Sequence, residues 1–117
     1  MMGMDLNGAN LRHAELHSAI LSDANLDTAD LSHVHAEGTS FVGATMRRTI
    51  LSESNLQGAD FSRADLSEAD LSAANLRGAN LTGADFSRAD LGDARMEGAV
   101  LADAKLHTAS NYRAPRA

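Results

Sequence analysis

A large apolar residue returns at every fifth position of this chain, in one unbroken register from Leu6 to Leu106. Of those 21 positions only Ala36 lacks a large side chain; the rest are Leu, Phe or Met. Two residues before nearly all of them stands a small residue, usually Ala, and between the two comes in most units a polar one, most often Asp or Asn. Small, polar, large is the alternation of one strand face. Three further residues separate one inward pair from the next, which suits a very short strand followed by a corner.

The same spacing excludes an α-helix. A five-residue step rotates by about 140° around a helix, so the leucines would scatter over the cylinder. The remaining positions are rich in Asp, Asn, Ser and Gly, which are poor in helix interiors. Seven of the nine glycines (Gly8, Gly38, Gly43, Gly58, Gly78, Gly83 and Gly98) fall two places after the large residue. Clustering at one repeat phase marks a corner where the backbone turns tightly. Periodicity alone leaves open how many units complete one coil.

Stretches such as Ala59-Asp-Phe-Ser-Arg-Ala-Asp-Leu-Ser-Glu-Ala-Asp-Leu71 and Ala74-Asn-Leu-Arg-Gly-Ala-Asn-Leu-Thr-Gly-Ala-Asp-Phe86 resemble the pentapeptide-repeat family. The resemblance implies an all-β fold, a right-handed quadrilateral parallel β-helix of about five coils, four units and 20 residues to the coil. On it the core forms four columns. The first wall stacks Leu6, Leu26, Met46, Leu66, Phe86 and Leu106; the second Leu11, Leu31, Leu51, Leu71 and Leu91. The third holds Leu16, Ala36, Leu56, Leu76 and Met96, and the fourth Leu21, Phe41, Phe61, Leu81 and Leu101.

The repeat is expected to occupy residues 1–106, with 107–117 a C-terminal capping or tail segment in which Tyr112 folds over the last coil and Pro115 stops further pairing. Between Val34 and Ile50 the motif loosens. Val34 replaces a small residue as Ala36 replaces a large one, Thr39 and Thr49 take alanine positions, and Ile50 takes a polar one. The expectation is conserved core volume, with Phe41 filling space beside Ala36; the alternative is a local distortion or loop that forms a contact.

Composition narrows the function. A formal charge of −6 argues against direct nucleic-acid binding, which needs basic surface to displace counterions, while permitting a basic partner. The absence of cysteine removes disulfide and thiol chemistry. The start carries neither a basic region nor an apolar stretch, and no run is long enough to cross a membrane; a cytoplasmic protein without membrane contact is expected.

Stacking by 20 places His13, His33 and Glu53 in one outward column, a set that could offer a metal two imidazoles and a carboxylate. Outward columns collect polar residues by default, however, and no further shell of ligands is identifiable, so the expectation is no metal, no cofactor and no catalytic residues. A tube filled by its own leucines offers neither the pocket nor the oxyanion hole of a nucleophilic triad. The outstanding surface feature is acidic. The second wall carries Asp30, Glu53, Asp70, Asp90 and Asp93 against Arg12 and Arg113. These five acids are the candidate interaction surface of a non-enzymatic scaffold for an unidentified protein partner. The resemblance implies an alternative, since some family members mimic DNA and regulate type II topoisomerases such as DNA gyrase. A further expectation is end-to-end homo-oligomerisation, which would cover the strand edges that open solenoid ends expose.

Overall fold

A computed structural model describes residues 3–112. Successive coils are joined by eighteen parallel single-residue bridges, from Asp5↔Asn25 to Asp90↔Ser110, each linking positions 20 residues apart. The coil therefore closes after four five-residue units, and the four core columns stack as the register requires. The ladder continues past residue 106, because Leu91 N–H donates to the Ser110 carbonyl and Ser110 N–H to that of Ala89. Tyr112 packs against the core. Pro115 lies outside the described residues.

Each unit turns the same corner. The N–H of every inward small residue donates to the carbonyl of the large residue three places earlier, as Ala9 does to Leu6 at 3.0 Å and Ala74 to Leu71 at 3.0 Å. The residue in between, two after the large one, has φ between +56° and +74° in every unit from Gly3 to Asp103. Positive φ at the third residue of a closed four-residue turn, without it at the second, is a type II turn. Eight corners are glycine, but thirteen are not, and these include Thr28, Arg48, Glu53 and Ala73. A side chain in the left-handed region costs roughly 1 kcal/mol or more, so packing and hydrogen bonds must hold these corners.

The core does the first part of that. Leu26, Leu51, Leu56, Leu66, Leu71, Leu76, Phe41, Phe61 and Phe86 are wholly buried, each worth about 1.5–3 kcal/mol of transfer free energy. The Phe41 and Phe61 rings lie parallel one coil apart, with centroids 4.8 Å from each other. The loosened stretch keeps the register, its bridges unbroken from His35↔Asn55 to Ile50↔Asp70. Val34 and Ala36 are both buried there. Thr39 and Thr49 point inward and donate their hydroxyls to the carbonyls of Leu16 and Leu26 in the coil below, which removes the cost of burying them.

Candidate interaction surface

The polar residue between Ala and Leu has a structural task. Ladder and turn bonds occupy most N–H groups of each unit, but leave the one just after the large residue. In all twelve units with Asp or Asn between the small and large residues, from Asp5 to Asp90, its side-chain oxygen accepts that N–H at 2.9–3.2 Å. This is the local closure that Asx side chains make at turns. Where Ser or Thr stands at the N–H donor position, its hydroxyl often donates to the same oxygen, as at Ser32, Ser62, Ser72, Thr82 and Ser87. The repeated aspartates are clamps, not the freely solvated outer acids that the repeat phase suggests.

The five candidate acids do share the second wall, in two columns of different character. Asp30, Asp70 and Asp90 lie half-buried in the bridged column. Asp70 accepts the N–H of Ser72 at 3.0 Å and its hydroxyl at 2.6 Å; Asp90 accepts Gly92 N–H at 2.9 Å and Asn111 Nδ2 at 3.2 Å. The Ser32 N–H and hydroxyl hold the Asp30 carboxyl below its ordinary range, with help from Arg12, whose Nη1 lies 3.5 Å from Oδ2. Glu53 and Asp93 are exposed on the adjoining corner column, above and below Ala73, and line one shallow hollow with Asn55, Asn75 and Arg95. Asp70, Asp90 and Asp93 make no ion pair among the described residues, whereas Glu53 faces His33 at 3.5 Å. Arg113 lies outside those residues.

Serine 72 is the clearest departure from a solvated outer position. It is half-buried and bonded twice to Asp70, so an acid there would face a second carboxylate and break the clamp. The most enclosed ion pair was not anticipated either. Asp27, 8 % exposed, accepts Arg47 N–H at 2.9 Å through one oxygen and the guanidinium at 2.7 and 3.1 Å through the other. Burial pushes the Asp27 carboxyl up, but the bonds from Arg47 outweigh it and hold the group below its ordinary range. The two residues are exactly one 20-residue coil apart in register, the signal that could have revealed them.

The histidine column forms, but as a stack. His13 and His33 rings lie 13° from parallel with centroids 4.9 Å apart, an arrangement in which ring nitrogens run alongside each other instead of converging. Among the described residues no group of three His, Asp or Glu side chains is placed to hold a metal ion.

The fold matches known proteins. A family model for pentapeptide repeats matches eight copies over residues 3–32, 29–67 and 64–103. Two solved structures are similar at 30% identity: a pentapeptide repeat protein from the Arabidopsis thaliana thylakoid lumen, with a TM-score of 0.68 over 83% of this chain, and HetL of the cyanobacterium Nostoc sp. strain PCC 7120, a pentapeptide repeat protein involved in heterocyst differentiation regulation, with 0.64 over 92%. The chain spans 61% of the length of each. No curated protein sequence matches. With the family model matched over most of its length and a coil that closes after four units, this chain belongs to the pentapeptide-repeat family of right-handed β-helices.

Proposed function

We propose that the protein is a non-catalytic scaffold whose second wall binds a basic protein surface. The observation that carries this reading is the charge imbalance of that wall, where Asp70, Asp90 and Asp93 stand without an ion-pair partner among the described residues. The first wall, by contrast, sets Asp5, Asp27, Asp65, Glu68 and Asp85 against Arg47, Arg48, Arg88 and Lys105, with Asp27 paired to Arg47 and Glu68 to Arg48 and Arg88. A rigid row of carboxylates with few cations beside it favours a cationic partner and speeds its approach. The interior supports a binding role over catalysis, since the tube is filled by its own Leu, Phe and Met side chains.

Asparagine keeps the Asx clamp while removing the charge, so neutralisation need not disturb the fold. The test compares the native protein with Glu53→Gln/Asp70→Asn/Asp90→Asn/Asp93→Asn as bait, alongside Asp23→Asn/Asp103→Asn on the fourth wall as control. A partner held by the native protein and the control, released by salt, and lost from the second-wall variant is the expected result. Retention by the second-wall variant would sink the reading. The same set in a DNA gyrase supercoiling assay tests the narrower reading, a surface imitating a nucleic-acid backbone toward a type II topoisomerase: inhibition by the native protein, lost in the variant, would establish it.

A further inference from the structure

The Asx clamps are unevenly distributed. From Asn55 to Asp90 all eight consecutive units carry one, two full coils without a gap. Immediately before them the clamp position holds His35, Ser40, Thr45 and Ile50. These are the four walls of a single coil, so one complete ring inside the solenoid lacks the clamp, as does the last ring, where Arg95, Val100, Lys105 and Ser110 stand at the clamp positions. The N–H groups of Glu37, Val42 and Ser52 find no protein acceptor among the described residues. The fourth, Arg47 N–H, is taken instead by Asp27 from the coil below, which grips the Arg47 guanidinium as well.

From this pattern we infer that the solenoid is built as two blocks of unequal stability: a clamped block over about residues 55–92, and an N-terminal block that opens as a unit through the unclamped ring, latched by Asp27 and Arg47. In a solenoid each coil touches only its neighbours, so local differences in stability are not averaged over the whole molecule. Ladder bonds join the ring to both neighbours, and opening must sever one set. The turns of the ring and of the coil below have fewer closures, since Glu15 and Ile20 also occupy clamp positions. The N-terminal side is therefore the side that gives way. The Asp27–Arg47 latch, the buried Thr39 and Thr49 hydroxyls, the Ser22–Ser40 hydroxyl pair and the Thr45 hydroxyl on Asn25 tie the ring to the coil beneath it.

Fraying from both ends makes a different prediction, and native-state amide hydrogen exchange on the full chain separates the two. Residues 35–50 and 65–80 lie equally far from the two ends of the described structure. Fraying protects them equally; the two-block solenoid protects 65–80 more, and makes amides of 25–31 exchange together with those of the ring. Two variants sharpen the comparison. Ile50→Asn rebuilds the Asn-Leu-Ser form of the clamp before Ser52 and should slow exchange across residues 25–50 by about five-fold, the value of one net hydrogen bond. Arg47→Gln removes the latch and should speed exchange there while leaving 65–80 unchanged. Equal protection of the two segments, or variants that shift both alike, would overturn the inference.

Discussion

At the residue scale the repeat is a hydrogen-bonding solution as much as a hydrophobic one. Asp70 illustrates the point, since its carboxylate closes the turn through both the N–H and the hydroxyl of Ser72. Asp70→Ala is expected to lower unfolding free energy by about 1–2 kcal/mol in urea titrations, while Asp70→Asn stays near the native value. On the same wall Glu53→Ala should remain within about 0.5 kcal/mol, as a substitution of an exposed side chain. Equal losses at Asp70 and Glu53 would contradict the division into clamping and free acids. At Ala73, φ is +58°, and nothing but a methyl group resists a glycine there. Ala73→Gly removes left-handed strain and adds chain entropy to the unfolded state, for a net gain of up to about 1 kcal/mol in the same measurement.

The element scale is the coil, and there the sequence was legible in some respects and silent in others. Spacing of five identified the inward columns because every large residue must face the tube, and Leu71→Asp or Leu76→Asp should accordingly prevent folding, read as loss of the cooperative melt, by burying an unpaired charge. Closure after 20 residues came from family resemblance, since a five-residue period is compatible with other numbers of sides. The glycine phase located the corner, yet could not show that Arg48 or Glu53 adopts the same left-handed φ. The clamps escaped notice because a polar residue at an outward phase needs no explanation beyond solvation; the recurrent Asp-Leu-Ser and Asp-Phe-Ser triplets were their trace. Asp27 and Arg47 became neighbours only through the coil length. Their bond has a pH signature. The folded Asp27 carboxyl titrates below its ordinary value of 3.8, so its contribution is fully present above that value and is lost as pH falls through the lower folded-state value. Arg47→Gln should therefore be less stable than the native protein at neutral pH, and the two denaturation curves should converge in strong acid.

The whole molecule differs from a globular domain in that its surface is indexed by a count. A side chain's wall is set by its residue number within the 20-residue coil, and the acidic wall exists because Asp30, Asp70 and Asp90 share one phase. Insertions between Ala73 and Ala74, inside the fully clamped block, exploit this. One added residue shifts every later large side chain out of the core and should abolish the fold. One added unit, Ala-Asn-Leu-Ser-Gly, keeps small, polar and large positions in phase, so the coil re-forms and the thermal melt stays cooperative. It also turns everything beyond it by one wall, carrying Asp90 and Asp93 away from Asp70 and Glu53. Four added units restore the alignment while lengthening the rod by one coil, roughly 4.8 Å. If the row of carboxylates along one wall is what a partner reads, binding should fall with the one-unit insertion and persist with the four-unit insertion, though both proteins fold. Binding that survives the quarter turn would assign recognition to a single coil, or to a surface lying wholly on one side of the insertion.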